Sequence, residues 1–284
     1  MSAQQHAVLV TGASTGIGAA TVERFASDGA IVYAGVRNET DARKAERHSN
    51  VRPLLLDVTD PAAIGNAVAA VQAGGIPLQA VVCNAGIAVA GPLEFLPLEE
   101  IRKAFDVNVF GTLAVAQAFL PALRATRGRL VFVGSISGRL AVPFMGPYAG
   151  SKFALRALAD ALRGELEPSG ISVSLIEPAS VKTPIWEKGR ASRERLLAVL
   201  GPGAQERYGA QLDTLFELTK NEERNGMPVE TVVDAIVDAV TARKPRMSYL
   251  LGKSARAGSI VALLPDRLRA AALRRALSGG RKNA

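Results

Sequence analysis

The chain has 284 residues, of which 48% are hydrophobic and 21% charged, and this composition is typical of a globular protein large enough to bury a full core. No low-complexity run or long linker divides it, so residues 1–284 are predicted to form one domain. The net charge is +8, but eight cationic residues against one aspartate place +7 of it in residues 253–284. The remaining chain is close to neutral, which argues against a nucleic-acid partner.

Several other classes of protein are excluded by the same inspection. No apolar run reaches the roughly 18 residues expected of a membrane span, and the N-terminus lacks the pattern of a signal peptide, so we expect a cytoplasmic protein. The single cysteine, Cys83, excludes a disulfide within the chain and is interpreted as a buried apolar residue rather than a catalytic thiol. His6 lies in an N-terminal tail and His48 in a charged, helix-like segment, so no metal site is predicted.

Short apolar runs alternate with helical patterns along the chain. The predicted strands cover 8–11, 30–34, 51–56, 80–83, 129–133, 171–176 and 248–251, and the predicted helices cover 16–27, 61–72, 98–125, 148–167 and 229–242. Strands that are apolar on both sides indicate a mostly parallel sheet covered on both faces. We therefore predict an α/β fold, a Rossmann-type doubly wound parallel sheet of about seven strands flanked by helices on both faces.

A glycine-rich turn, Thr11-Gly-Ala-Ser-Thr-Gly-Ile-Gly18, follows the first predicted strand and opens the first predicted helix. Glycines let the backbone approach a pyrophosphate closely, and a helix N-terminus offers free N–H groups to it. The alternative is an ordinary tight turn. The strand and helix on either side favour a dinucleotide site.

The end of the second strand bears on the choice of dinucleotide. An acidic residue there would hold a ribose 2′-hydroxyl, whereas an arginine would pair with a 2′-phosphate. The chain reads Tyr33-Ala-Gly-Val-Arg-Asn38, with one arginine and no acid. This predicts NADP(H), the alternative being that Arg37 serves solubility alone.

A hydroxyl, a phenol and an ammonium group follow the fifth predicted strand at Ser135, Tyr148 and Lys152. The i,i+4 spacing places Tyr148 and Lys152 on one helix face. A nearby cation lowers the pKa of a phenol, which can then exchange a proton with a substrate oxygen, while a serine hydroxyl holds that oxygen. A Tyr-x-x-x-Lys pair alone is also a common chance pair on helix surfaces.

Taken together, these motifs resemble the short-chain dehydrogenase/reductase family in its compact one-domain form, over roughly residues 7–251. The match includes the glycine turn, Asp57-Val58, Asn84-Ala-Gly86, Asn108, Ser135, Tyr148, Lys152, Glu177-Pro178 and Thr183, in the family's order. The resemblance implies that the cofactor-binding residues are Gly12, Ser14, Thr15, Gly16, Ile17, Gly18, Arg37, Asp57, Val58, Asn84, Ala85, Gly86, Tyr148, Lys152, Pro178, Val181 and Thr183.

The resemblance also implies catalytic roles. Tyr148 would be the acid/base, and Lys152 would lower its pKa and hold the nicotinamide ribose. Ser135 would orient the substrate oxygen, with Ser137 as a possible decoy. Asn108 would anchor a water in a proton relay, the alternative being a helix-interior residue bonded to its own backbone.

Two positions depart from the family pattern. Gly134 stands where many members have serine, and Ala179 stands where a glycine commonly follows the proline. The first should be harmless, whereas the second adds a methyl group beside the nicotinamide. Neither removes a reacting group.

The substrate pocket is predicted to form from the loop after Ser135 and the segment after Pro178. Its candidate residues, beside Ser135 and Tyr148, are Leu140, Val142, Phe144, Met145, Ile185 and Trp186, with Tyr208 and Leu215 as less certain contributors. These are mostly apolar, although several could equally be core residues. The set favours a hydrophobic ketone, aldehyde or secondary alcohol, and the Val-Tyr-Ala-Gly-Val-Arg segment resembles the steroid- and retinol-active branch of the family.

Residues 186–226 are rich in charge and contain Gly201-Pro-Gly203, so we interpret them as a helical substrate lid with a hinge. The basic tail, about 254–284, is loosely amphipathic and would either pack on the protein or touch a membrane surface. The resemblance implies a homodimer or homotetramer paired through the helices at 98–125 and 148–167. The rival function is a regulatory protein that binds NADP(H) without turning it over.

Overall fold

The computed structural model describes residues 6–46, 48–183 and 200–278. Its centre is a sheet of seven parallel strands in the order β3-β2-β1-β4-β5-β6-β7. The strands are β1 (Ala7–Thr11), β2 (Ile31–Val36), β3 (Val51–Leu55), β4 (Leu78–Cys83), β5 (Arg129–Val133), β6 (Ser172–Pro178) and β7 (Ser248–Leu251). The predicted doubly wound parallel sheet is confirmed.

The edge strand β3 differs in composition from the centre of the sheet. The central strand β1 is buried along its whole length, whereas the edge strand β3 is only partly buried and contains Arg52 and Pro53. Proline has no N–H to donate to a sheet and is confined to edge strands and bulges. The strand order therefore explains why a proline is tolerated at this position.

Helices connect the strands and cover both faces. They are α1 (Gly16–Ser27), α2 (Glu39–Ala45), α3 (Pro61–Ala73), α4 (Leu98–Phe105), α5 (Thr112–Thr126), α6 (Gly146–Leu166), α7 (Pro202–Asn225), α8 (Val229–Thr241), α9 (Lys253–Ala262) and α10 (Asp266–Ser278). Some begin at clear signals: the Asp60 carboxylate accepts a hydrogen bond from the Ala62 N–H at 2.8 Å, and Pro61 opens α3.

Strands β1 to β6 contribute side chains to two separate cores, one on each face of the sheet, whereas β7 contributes to one of them only. On one face Leu9 and Leu130 pack with Phe119 of α5 and Leu155 of α6. On the other face the neighbouring strand residues, such as Val10 and Val131, pack with Phe25 of α1 and Ile236 of α8. Burial on both faces accounts for the continuous apolar strand sequences.

The helix predicted over 98–125 is interrupted. α4 and α5 are separated by a π-helical turn, Asp106–Gly111. Gly111 has no room for a side chain there, because an added Cβ would lie 2.7 Å from the Val58 carbonyl oxygen. The interruption therefore depends on tertiary contact, and π-turns of this kind occur frequently at functional sites.

The sequence contains no uninterrupted apolar run of about 18 residues, but one helical stretch of the described residues is long and apolar enough to cross a membrane by length and composition. Within the described part of the chain, the continuous helical stretch Leu98–Thr126 meets that criterion. Its Phe119 and Leu123 are buried against the sheet in the core described above. A buried core helix can be as long and as apolar as a membrane span.

The strand order also fixes where a ligand can bind. From β1 the chain builds outward to β2 and β3, and then returns to β4 on the other side of β1. At such a reversal the loops leave the carboxyl ends of neighbouring strands in opposite directions and open a crevice between them. The glycine turn and the Asn84-Ala-Gly86 turn both lie at this crevice.

Candidate active site

The glycine turn between β1 and α1 is built for a close approach of the backbone. Gly12 and Gly16 adopt left-handed conformations, with φ of 64° and 58°. An added Cβ at Gly12 would lie 2.8 Å from the Ala85 Cα, and one at Gly18 would lie 2.2 Å from the Gly12 carbonyl oxygen. Thr15 caps α1 without a side-chain hydrogen bond, which leaves the first N–H groups of the helix available to an anion.

The turn after β4 holds the glycine turn in place. The Asn84 side-chain amide donates to the carbonyl oxygens of Thr11 and Gly12 at 3.0 and 3.1 Å. In return, the Thr11 hydroxyl accepts hydrogen bonds from the backbone N–H groups of Asn84 and Ala85, both at 3.0 Å. Asn84 thus acts first on the shape of the turn, whereas the sequence predicted it as a direct cofactor contact.

A cavity of about 980 Å³ lies over the crevice. The predicted cofactor residues that line it are Gly12, Ser14, Thr15, Gly16, Ile17, Arg37, Asp57, Val58, Asn84, Ala85, Gly86 and Thr183. A dinucleotide fits this arrangement, because a glycine cradle and an uncapped helix N-terminus lie at one part of the cavity and a cation and a carboxylate at another.

Arg37 and Asp57 lie at the end of the cavity formed by β2 and β3. Arg37 is exposed. The Asp57 carboxylate accepts from the N–H and the hydroxyl of Thr59 at 2.9 and 2.7 Å. Burial favours the neutral acid, but the two hydrogen bonds and the positive charge of Arg37 outweigh it and lower the pKa of Asp57. Asp57 is thus an anion at neutral pH.

Ser135, Tyr148 and Lys152 come together from two elements. Ser135 lies just beyond β5, and Tyr148 and Lys152 lie on successive turns of α6. Tyr148 and Ser135 share a side-chain hydrogen bond, and the Lys152 Nζ lies 5.8 Å from the centre of the Tyr148 ring. The Lys152 ammonium also donates to the Val133 carbonyl oxygen at 2.9 Å. Ser137 contacts Ser135 only through its backbone N–H, which donates to the Ser135 hydroxyl at 3.1 Å.

The electrostatics of this group differ from the sequence-based expectation. Lys152 was expected to lower the pKa of Tyr148, yet burial raises it, and the hydrogen bond with Ser135 offsets this only in part. Burial also lowers the pKa of Lys152 from 10.5 to about 8. At neutral pH the phenol is therefore protonated and positioned to donate a proton, and the ammonium still carries its charge.

Asn108 is buried in the π-helical turn and does not bond to its own helix through its side chain. Its Oδ1 accepts from the Ile87 N–H at 2.8 Å, and its Nδ2 donates to the Ile87 carbonyl oxygen and the Ser151 hydroxyl, both at 2.9 Å. The Ser151 hydroxyl in turn donates to the Tyr148 carbonyl oxygen at 2.7 Å. Asn108 therefore connects the turn after β4 to the helix that carries Tyr148 and Lys152.

Five of the residues predicted to bind the cofactor do not line the cavity as the structure describes it. Gly18 packs closely against Gly12 and Asn84. The Val181 side chain is buried in the core on the α1 side of the sheet. Tyr148 and Lys152 lie beyond Gly86, where an added Cβ would be 3.7 Å from the Lys152 Nζ. Pro178 is the last residue of β6.

A buried carboxylate, Glu177, lies behind the site. The sequence analysis identified it only as part of the Glu177-Pro178 motif and predicted no partner for it. Glu177 is fully buried, and Arg139 binds it with two nitrogens, the Nε at 2.8 Å and the Nη2 at 2.5 Å. Arg156 donates to the same carboxylate at 2.6 Å, and the Ser248 hydroxyl bonds to it as well. Burial opposes the charge, but hydrogen bonds from Arg139 and Ser248 and both guanidinium charges lower the pKa of Glu177.

The predicted substrate loop lies between Ser135 and the start of α6, the helix that carries Tyr148. Leu140, Val142 and Phe144 are partly buried, whereas Met145 is 6% exposed and belongs to the interior. Phe144 has a φ of 67°, a left-handed conformation that is rare for a bulky residue. Its carbonyl oxygen accepts from the Gly91 N–H at 2.7 Å.

Helix α7, part of the predicted lid, packs against the substrate loop through an aromatic cluster. The Tyr208 ring meets those of Phe144 and Phe95 edge-on, with centroids 5.9 and 6.0 Å apart. The Tyr208 hydroxyl also donates to Glu94 at 2.8 Å. Leu215 is buried. Ile185 and Trp186 lie outside the described residues, and the lid motion stays a prediction.

These features coincide with a family match. The family model for short chain dehydrogenases matches residues 6–194, two thirds of the chain. The chain belongs to the short-chain dehydrogenase family. It is therefore an oxidoreductase that binds a nicotinamide cofactor, and the resemblance noted in the sequence is confirmed.

Two curated relatives show the range of activities within the family. An NADPH-dependent 3-dehydrocapnine reductase from Ornithobacterium rhinotracheale is 35% identical over 270 residues, 92% of this chain and 93% of that protein. The human 17-beta-hydroxysteroid dehydrogenase type 1 is 35% identical over 254 residues, 85% of this chain and 76% of that protein.

Solved structures share the fold and differ in cofactor. A short chain dehydrogenase from Burkholderia cenocepacia in complex with NADP has a TM-score of 0.70 and 26% identity, covering 99% of both chains. A second from Burkholderia phymatum in complex with NAD has a TM-score of 0.77 and 24% identity, covering 91% of this chain and 92% of that one.

Proposed function

We propose that this protein is an NADP(H)-dependent oxidoreductase that interconverts a hydrophobic ketone or aldehyde and its alcohol. The observation that carries the proposal is the convergence of Ser135, Tyr148 and Lys152 beside a cavity formed around a glycine cradle. A bound nicotinamide cofactor would supply or accept the hydride.

The chain's own residues would manage the proton and the substrate oxygen. The Ser135 hydroxyl holds the carbonyl oxygen, and the protonated Tyr148 hydroxyl donates its proton to that oxygen as negative charge develops. The Lys152 ammonium stabilises the resulting phenolate. Asn108 acts as a positioning residue, since its side chain bonds to Ile87 and Ser151.

The substrate class is inferred from the predicted substrate loop. Leu140, Val142 and Phe144, all partly buried, would supply apolar surface, and Tyr208, whose ring meets that of Phe144, would close it from α7. A surface of this kind favours an apolar ketone over a sugar or a carboxylate. The similarity to the human 17-beta-hydroxysteroid dehydrogenase type 1 supports this choice.

The first test is consumption of NADPH with a pooled set of apolar ketones and aldehydes. Tyr148→Phe removes the proton donor and is expected to lower turnover about 10²- to 10⁴-fold. Tyr33→Phe is the matched control, because it removes the same atom from a tyrosine in β2 whose hydroxyl bonds to Arg52. Tight NADPH binding without turnover of ketones, or of alcohols with NADP, would instead favour the regulatory alternative.

The preference for NADP(H) has its own test. Arg37 is an exposed cation that lines the cavity near Asp57, and a guanidinium pairs well with a 2′-phosphate. Arg37→Ala is expected to weaken NADPH binding about 10- to 100-fold and to leave NADH binding unchanged, as measured by fluorescence titration. Arg43→Ala on α2 serves as the control, and unchanged NADPH affinity in Arg37→Ala would contradict the assignment.

A further inference from the structure

The turn between α9 and α10 carries three exposed aliphatic side chains. Ile260 and Leu263 lie at the end of α9, and Leu268 lies in the first turn of α10, with 65%, 86% and 57% of their surface exposed. Leu263 is the most exposed large hydrophobic residue of the described part of the chain. Clusters of exposed apolar residues mark interaction sites, because water does not favour them.

Cations surround these side chains. Arg256 lies one turn before Ile260, Arg267 lies beside Leu268, and both are exposed. Neither has an ion pair among the described residues. Residues 253–278 contain six cationic residues and one acid, Asp266, which Arg269 neutralises at 2.5 Å. The turn is therefore both apolar and positively charged.

The same turn lies next to the candidate active site. Gly258 of α9 packs on the loop that follows Ser135: an added Cβ would lie 3.2 Å from the Ile136 Cγ1 and 3.8 Å from the Leu140 Cδ2. Leu140 is one of the predicted substrate residues described above. Ile260 is two residues beyond this contact, about 200° around the helix axis, so the exposed aliphatic side chains begin on the outer face of α9, within one turn of its contact with the substrate loop.

We propose that Arg256, Ile260, Leu263, Arg267 and Leu268, together the α9–α10 corner, dock the protein on an anionic lipid bilayer. The aliphatic side chains would enter the boundary of the acyl chains, and the guanidinium groups would meet the headgroup phosphates. The bilayer would then present an apolar carbonyl substrate to the site. This last step rests on the proposed function.

Other occupants fit the corner less well. A second copy paired through the same surface would bring like charges together and oppose association. A nucleic acid would satisfy the arginines through its phosphates, but its backbone would leave the three aliphatic side chains in water. An anionic bilayer matches the charge and the apolar surface at once.

The test is co-sedimentation of the full chain, without cofactor or substrate, with vesicles of phosphatidylglycerol and phosphatidylcholine. We expect binding that weakens as salt rises and that is much lower with phosphatidylcholine alone. The double variant Arg256→Gln/Arg267→Gln is expected to bind about 25-fold more weakly, at about fivefold for each charge. Ile260→Ser/Leu263→Ser should lose most of the remaining binding at high salt.

A matched control changes an exposed leucine and an exposed arginine at the opposite edge of the sheet, Leu55→Ser/Arg43→Gln, and should bind like the parent protein. Equal binding by the corner variants and this control would overturn the proposal, as would the absence of binding to anionic vesicles. A change in sedimentation coefficient caused by the corner variants without vesicles would also overturn it, in favour of a contact between copies.

The vesicle experiment measures no turnover, so its outcome is independent of the proposed reaction. A separate assay addresses the delivery of substrate. The corner variants should keep their rate on a water-soluble ketone and lose it on a ketone embedded in anionic vesicles. Equal loss on both substrates would place the defect in the site itself and overturn delivery by the bilayer.

Discussion

At the scale of single residues, the proposed proton transfer depends on how deeply Lys152 is buried. Its side chain is 6% exposed, and its ammonium donates to the Val133 carbonyl oxygen. Removing a cation from water favours its neutral form, which is why burial lowers the pKa of Lys152 to about 8. The residue therefore carries its charge at neutral pH and gives it up at a pH where an ordinary lysine would not.

This placement predicts how the reaction depends on pH. The ammonium is present below pH 8 and is lost as the pH rises through about 8, so kcat/KM for reduction should be flat below that value and fall above it. Lys152→Arg keeps its charge at every accessible pH and should lose the falling limb, even if its activity is lower throughout. If kcat/KM of Lys152→Arg still falls above about pH 8, the ionisation belongs to a different group.

At the scale of elements, Glu177 joins three segments around the candidate active site. Arg139 belongs to the loop after Ser135, Arg156 lies one turn beyond Lys152 on α6, and Glu177 itself ends β6 beside Pro178. The arginines are 24% and 31% exposed and the carboxylate is fully buried. The Glu177 carboxylate therefore holds the loop after Ser135, helix α6 and the end of β6 in fixed relative positions.

Removing this carboxylate should be costly. Glu177→Gln leaves two partly buried cations without their partner, and we expect the free energy of unfolding at pH 7 to fall by about 3–5 kcal/mol. Because the pKa of Glu177 lies below its ordinary value of 4.5, this stabilisation is present above pH ~4.5 and is lost as the pH falls through the folded-state pKa. Urea denaturation of both proteins at several pH values measures the difference.

The control for this experiment is an exposed ion pair. Arg24 pairs with Asp28 and Asp234 on the surface, with 43% of the Arg24 side chain exposed. Arg24→Gln should unfold like the parent protein, since solvent screens such pairs. A Glu177→Gln protein that is as stable as Arg24→Gln would show that the buried cluster does not tie these segments together.

The sequence could predict the elements whose signals are local. The seven strands were recognisable from continuous apolar runs, and α8 from the helical spacing of its valines with Pro228 before it. The π-helical turn was not, because it depends on Gly111 packing against Val58, a residue 53 positions earlier in the chain. The helix α2 was also missed; it has seven residues, too few to show a period clearly.

The same distinction holds for the site. Ser135, Tyr148 and Lys152 were selected through the family resemblance, and the structure brings the three side chains together, while their catalytic roles stay a proposal. The partners of Glu177 lie 38, 21 and 71 positions away, and no local pattern links them. The raised pKa of Tyr148 was likewise not predictable, because it depends on burial by the folded chain.

At the scale of the whole molecule, two helices that pack together have exposed apolar side chains. Leu98 of α4 is 60% exposed and Phe153 of α6 is 42% exposed. The family resemblance implies pairing through these helices, and we propose that they form the contact of a homodimer or homotetramer. An isologous contact places each such side chain against the equivalent surface of the second copy.

A charge introduced at this contact should therefore separate the subunits. Leu98→Arg/Phe153→Arg is expected to sediment as a monomer, because like charges would face one another across the symmetry axis. Met247→Arg, at a methionine that is 66% exposed just before β7, should leave the mass unchanged. Equal masses for the parent and both variants in sedimentation equilibrium would contradict pairing through α4 and α6.

The composition of β3 has a further consequence for the molecule in a crowded solution. This strand forms an edge of the sheet, and it combines a charged residue, Arg52, with Pro53, which has no N–H to offer. An open strand edge is otherwise a template on which a second molecule can add its own strand and begin a fibril. The proline and the charge together protect this edge of an otherwise very apolar sheet against aggregation.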